Sequence, residues 1–104
     1  MILVNIEEIP NRKYELLGIV KGSMVQTKNI GKDIFAGLKS MVGGELKSYS
    51  DMMNEARQIA TKRMVDEAEV VRADAVIGVR YTSSTIIEGA AEVMAYGTAI
   101  KFID

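Results

Sequence analysis

The sequence predicts an α+β domain, a small antiparallel sheet packed on two helices in the order β-β-α-α-β-β. Three observations carry the prediction. From Tyr49 to Arg72 apolar residues recur every three or four positions, the period of a helix with one buried stripe. A shorter stretch of the same period, Ile30, Ile34, Leu38, Met41 and Val42, precedes it and ends at Gly43. After Ala75 the period falls to two and holds to Phe102, as in a hairpin of half-buried strands. One domain, 1–104, accommodates all of this, since 104 residues is an ordinary single-domain length.

Taken in order, Met1 to Val4 is a short apolar run suited to an edge strand. Asn5 and Pro10 end it, and Asn11 to Lys13 form a polar turn. Tyr14 to Val25 alternates as a strand, with Leu16, Gly18, Val20 and Gly22 on one face and Leu17 and Ile19 on the other. Asn29 is a good N-cap for a first helix over Ile30 to Val42, and Gly43 can take the left-handed position that closes it. Ser48 and Asp51 have the spacing of a capping box. Behind them Met52, Met53, Ala56, Ile59, Ala60, Met64, Ala68 and Val71 form the apolar stripe of the second helix. Lys62–Asp66 and Arg63–Glu67 are spaced for ion pairs across one turn. Ala73-Asp74 ends the helix, and a strand runs from Ala75 through Tyr81 to Ile87. Glu88-Gly89 is the turn, and Ala91 to Phe102 is the returning strand.

Composition excludes several classes of function. Apolar residues make up 48% of the chain, too many for a disordered segment. Thirteen Lys and Arg stand against fourteen Asp and Glu, a net charge of −1, without the basic surplus of a nucleic-acid binder. No run approaches the ~20 apolar residues of a membrane helix, and Glu7, Glu8, Arg12 and Lys13 interrupt any signal-peptide pattern. The expectation is a soluble cytoplasmic protein. There is no Cys, His or Trp, which removes disulfides, thiolate nucleophiles, imidazole bases and soft-metal sites of the usual kind.

The last strand alternates cleanly. Met94, Tyr96, Thr98, Ile100 and Phe102 share one face, with the volume to meet two helices. The other face offers Val93, Ala95, Gly97, Ala99, Val76, Gly78, Leu16, Gly18 and Val20, almost without charge. Small residues in strands mark close approach of another backbone. Either the N-terminal segment folds over this face or neighbouring subunits cover it, and assembly into a homo-oligomer is the reading favoured here.

The blocks Ala36-Gly37-Leu38-Lys39-Ser40-Met41-Val42-Gly43-Gly44, Tyr49, Ala56-Arg57-Gln58-Ile59-Ala60, Ala73-Asp74-Ala75-Val76-Ile77-Gly78-Val79 and Tyr96-Gly97-Thr98-Ala99 together resemble the YbjQ-like family, often labelled heavy-metal-binding. The resemblance implies a dodecin-like α+β subunit assembling through inter-subunit strands into a ring-like homopentamer. Family members often carry acidic residues after the position of Gly78, in a pattern like G-V-D-x-D. Here those positions are Arg80 and Thr82, so a cation site built on such carboxylates loses its ligands.

No residue is a candidate catalyst, cofactor ligand or metal ligand, and no cofactor is expected. Dodecin-type flavin binding rests on tryptophan, for which Tyr81 and Tyr96 are the only substitutes near the sheet. The internal methionines read as core filler rather than Cu(I) ligands. Gly43-Gly44 is a helix–helix turn, not an anion site, because it follows a helix C-terminus. Asp66, Glu67 and Glu69 read as a solvated helix face, and Ser83-Ser84-Thr85 as a polar strand segment. The candidate interface or anion contacts are Gly78, Arg80 and Gly97. Arg80 is the one charged side chain in an apolar strand and must find a partner, for which Glu92 or Asp74 of a neighbouring subunit is the expected choice. The expected function is a non-enzymatic homo-oligomeric binding or scaffold module. Weak metal binding, or cofactor-free catalysis from a carboxylate or Tyr81, is the alternative.

Overall fold

The computed structural model describes residues 1–27, 47–87 and 90–104. Among these residues the elements are β1 (Ile2–Leu3), β2 (Tyr14–Thr27), α1 (Lys47–Val70), β3 (Ala75–Ile87) and β4 (Ala90–Phe102). They form one four-stranded sheet in the order β1-β3-β4-β2. β4 is antiparallel to both β2 and β3, whereas β1 runs parallel to β3, with Ile2 opposite Ala75 and Leu3 opposite Val76.

Two features of the expected fold are corrected. The sheet is mixed rather than antiparallel, because the N-terminal segment pairs in parallel with β3. A strand of two residues carries no pattern from which its direction could be read. The described residues also contain one helix, in the order β-β-α-β-β, not two. The expected helix over Ile30 to Val42 and the Glu88-Gly89 turn lie outside the described residues.

The described helix spans Lys47–Val70, so Ser48 lies within it rather than ahead of it as its spacing with Asp51 predicts. Its other end stops at Val70, two residues short of the expected Arg72. Ala73 N–H donates to the Ala68 carbonyl and Arg72 N–H to the Glu69 carbonyl, both at 3.0 Å, while Arg72 takes a left-handed φ of 61°. This is a Schellman closure with Arg72 at the position that glycine usually fills. Lys62 pairs with Asp66 at 3.1 Å as expected. Arg63 instead reaches β2 and donates to the Ser23 carbonyl at 2.7 Å.

Ala56, Ala60, Met64 and Ala68 recur every four residues and are fully buried. They pack on Val20, Val76, Val79, Val93, Ala95 and Ala99, which is the small-residue face of the sheet. The expectation that the large-residue face meets helix is therefore reversed. The cause is distance, since an alanine row can bring the helix backbone onto the sheet only where the strands offer Gly or Ala. At Gly22 the approach is closest: a Cβ there would fall on the Met64 nitrogen and the Ala60 carbonyl oxygen, and within 2.7 Å of the Arg63 carbonyl carbon.

Two of the sheet's three register shifts among the described residues, at Gly18 and Gly78, set which residues near them face which way. Leu16 pairs with Ile100 and Gly18 with Ala99, leaving Leu17 unpaired where Gly18 has a φ of +114°. Leu16 consequently lies opposite to Gly18, Val20 and Gly22 rather than sharing their face. In β3, Gly78 and Val79 together stand against Gly97, with Gly78 at φ +62°. The extra residue turns Val79 under the helix and Arg80 to the outer face, beside Tyr96.

The segment after β1 continues along the edge of β3 and forms a strap whose side chains Val4 and Ile9 turn onto the outer face. Val4 N–H donates to the Val76 carbonyl at 3.0 Å, Gly78 N–H to Ile6 at 2.7 Å and Val79 N–H to Val4 at 3.1 Å. Beneath it Ala75, Ile77 and Ile100 pack with Val4, Ile9, Tyr14 and Phe102. At the sheet's end Arg12 grips both oxygens of Asp104, at 2.7 and 3.0 Å, and lies 3.8 Å above the Phe102 ring. The guanidinium hydrogen bond holds the Asp104 carboxyl below its ordinary pKa, against the opposing effect of desolvation.

Candidate functional site

Arg80 emerges on the outer face because of the Gly78 bulge, and its partners belong to the strap. Its Nη1 donates to the Asn5 carbonyl at 2.9 Å and to its neighbour Val79 at 3.2 Å. Its Nη2 stands 3.5 Å from Glu7 Oε1. That ion pair is exposed and contributes little, so the carbonyl bond is the firmer hold. Neither expected partner is used within the chain. Asp74 accepts from the Phe102 amide at 2.8 Å and faces Lys101 at 3.9 Å.

The two glycines singled out with Arg80 have different physical causes. A Cβ on Gly78 would meet nothing within 4 Å, so its left-handed φ, not a close neighbour, calls for glycine. A Cβ on Gly97 would come within 2.7 Å of Val76 Cγ1 and 2.9 Å of the Ile77 carbonyl oxygen. Gly97 is thus where β4 makes room for the β3 bulge, inside one chain.

The groove that could hold a ligand lies elsewhere, between α1 and the helix-side face of β3, with Tyr81 at its centre. Opposite Ala95 in the ladder, Tyr81 points to the helix side and meets Thr61. The two hydroxyl oxygens are 2.8 Å apart, and Thr61 also donates to the Arg57 carbonyl at 2.7 Å. A depression of about 640 Å³ is lined by Asn54, Arg57, Gln58, Thr61, Lys62 and Tyr81. A second, of about 200 Å³, shares Arg57 and Tyr81 and adds Met53, Thr82, Ser83 and Val93. Positions 54, 57, 58, 61 and 62 fall at helical spacings of three and four, which is why one face of α1 supplies five of the lining residues. Tyr81 was legible as an aromatic near the sheet. Arg57, which shares both depressions with it, was not, because the helix pattern does not tell which polar residue ends beside a strand.

Donor chemistry decides what this arrangement can hold. A centre for soft or borderline metal ions needs thiolate, thioether or imidazole ligands. The chain has no Cys and no His. Among the described residues no three Asp or Glu side chains gather at one point, and Met64 is sealed in the core. The described residues do not fit such a centre. Nor is any helix among them long and apolar enough to cross a membrane.

Fold and groove together define a small α+β domain that can offer hydroxyl, amide and guanidinium groups from one helix and one strand. The chain belongs to the YbjQ family, whose description reads "Putative heavy-metal-binding" and whose profile matches residues 1–103. A UPF0145 protein of Alkaliphilus metalliredigens is 62% identical over 103 residues, 99% of this chain and 100% of that protein. A UPF0145 protein of Clostridium novyi is 59% identical over the same shares, and one of Thermotoga petrophila 55% identical over 97% of this chain and 96% of its own. A crystal structure of a protein of unknown function of the DUF74 family, from Pediococcus pentosaceus, is similar with a TM-score of 0.73. It covers 99% of this chain and 98% of that one at 16% identity, so this likeness shows the fold alone.

Proposed function

We propose that the protein is a non-enzymatic binding or scaffold module that works in the cytoplasm as a homo-oligomer. Five copies is the number the family resemblance implies, and a small ligand, where one is bound, sits near subunit boundaries. The observation that carries the reading is the outer face of the sheet beyond the strap. Leu16 is 68% exposed and Ile19 77% exposed, with Val25 and Tyr96 also open to solvent. An apolar face left in water forgoes roughly 25 cal/mol for each Å², and a second copy of the same face can cover it. The metal-binding description of the family supports a second reading, weak coordination of a cation by carboxylates.

Sedimentation equilibrium at micromolar concentration tests the proposal. The expected mass is at least twice 11.4 kDa, falling in an Ile19→Glu variant that retains its circular dichroism spectrum. Since Ile19 is mostly exposed in the single chain, a change in mass reports a contact between chains. A well-folded wild-type monomer would overturn the proposal.

A further inference from the structure

We propose that the groove between α1 and β3 binds a small organic anion, with Arg57 taking a carboxylate or phosphate and the Tyr81 ring taking an attached apolar body. The proposal rests on the binding half of the reading above and not on assembly, because the described lining residues belong to one chain.

The hydroxyl relay fixes the polarity of the site. Thr61 has one proton, and it goes to the Arg57 carbonyl at 2.7 Å. In the 2.8 Å contact between the hydroxyls, Tyr81 is therefore the donor. This commits the phenol proton, pins the ring beside the helix and leaves Arg57, with the side-chain amides of Asn54 and Gln58, as the available donors of the larger depression. Lys62 adds positive charge there, although it is shared with Asp66 at 3.1 Å.

Arg57 is also free to act. Arg12, Arg63 and Arg80 each hold an oxygen of the chain, whereas Arg57 has no acidic partner among the described residues. Among the described residues no carboxylate lines either depression. Guanidinium matches the two oxygens of a carboxylate or phosphate. Beside it, Tyr81 and Met53 of the smaller depression offer apolar surface for a ring or short chain. The larger depression, of about 640 Å³, is open to solvent along Asn54, Arg57, Gln58 and Lys62.

Calorimetry with phenyl phosphate, inorganic phosphate and benzylamine tests the proposal, with sedimentation mass and circular dichroism read on every sample. Phenyl phosphate should saturate at one per subunit, inorganic phosphate should bind more weakly, and benzylamine should not bind. Arg57→Gln should weaken phenyl phosphate at least about tenfold, as expected for one lost charge-assisted hydrogen bond. Tyr81→Leu should weaken it too, while Lys13→Gln, an equal loss of charge elsewhere, should leave it unchanged. No saturable binding tighter than about 1 mM, equal binding by a folded Arg57→Gln variant, or equal binding of benzylamine would each overturn the proposal. Specific binding by a monomeric sample would support it while removing assembly, and an intact oligomer without binding would remove this proposal alone.

Discussion

Replacing Gly22 by alanine adds one carbon where the helix backbone already stands. The new Cβ would overlap the Met64 nitrogen and the Ala60 carbonyl oxygen, and it would lie 2.7 Å from the Arg63 carbonyl carbon. Non-bonded carbon contacts settle near ~3.5–4.0 Å, so helix and strand must separate by on the order of 1 Å. All three obstructing atoms are backbone, and no rotamer change relieves them. The separation also loosens the packing of Ala56, Ala60, Met64 and Ala68, which are fully buried. Overpacking costs about 1–3 kcal/mol, and a collision with backbone belongs at the upper end, about 3 kcal/mol. For a domain of this size that corresponds to a fall in Tm of roughly 12–24 °C. Gly78→Ala is the control, because its Cβ meets nothing within 4 Å and only the φ of +62° is strained, costing about 1–2 kcal/mol. Urea and thermal unfolding followed by circular dichroism at one fixed protein concentration measure both. If Gly22→Ala unfolds at or above the midpoint of Gly78→Ala, the argument that helix–sheet distance sets the fold is refuted.

Arg80→Ala should speed hydrogen exchange at the Gly78 and Val79 amides, which donate to the strap carbonyls of Ile6 and Val4. Losing the bond to the Asn5 carbonyl at a half-exposed site is worth about 1 kcal/mol, or about fivefold in exchange, with Arg80→Lys between the two. Unchanged exchange would show that the strap holds without Arg80. Because Arg12 holds the Asp104 carboxyl below its ordinary pKa, the stability Asp104 adds is present above the unfolded carboxylate's pKa and is lost as pH falls through the folded value. Asp104→Asn should thus be less stable than wild type at neutral pH, with the gap closing below about pH 4. A gap equal at every pH would show that the pairing adds nothing. Zn²⁺ or Cu²⁺ titrated in a calorimeter should bind weakly, without fixed stoichiometry, and leave with a mild chelator. One saturable submicromolar site per subunit would overturn this and imply carboxylates brought together from several chains.

Much of the fold was legible because long elements repeat their period many times. The stripe Ala56, Ala60, Met64 and Ala68 lies where its spacing puts it, and the strands run over Tyr14–Thr27, Ala75–Ile87 and Ala90–Phe102, close to their expected limits. Two of the misread features turn on one residue each. The left-handed φ of Gly18 and Gly78 inserts a bulge, and a single inserted residue reverses every side chain beyond it. The alternation of β2 and β3 could not be followed across those points, so Leu16 was assigned to the wrong face. The same blindness hid the partners of Arg80, which the bulge aims at the strap. Within the chain those partners are Asn5 and Glu7, which belong to a segment with no pattern to read. The groove failed for another reason: Arg57 and Tyr81 are 24 positions apart, and only the crossing of α1 over the sheet joins them.

The small-residue stripe shows how far a correct physical premise can carry and where it stops. Gly97, Ala99 and Ala95 mark a face where another backbone is expected to approach closely, and one does on that face, at Gly22. The premise does not say whose backbone it is. A helix whose own contact row is alanine satisfies it more readily than a neighbouring subunit, because the chain already holds the helix nearby and closure needs no loss of translational freedom. Assigning the stripe to α1 then removes the original ground for an assembly contact on that face. It transfers the question to the opposite side, where bulky residues such as Leu16 and Ile19 stay in water. The proposal of self-association is therefore testable at different residues from those first singled out. Substitutions at Gly97 act through Val76 and Ile77 of the same chain and would unfold the subunit whether or not it assembles. Ile19 is the position at which folding and assembly can be told apart.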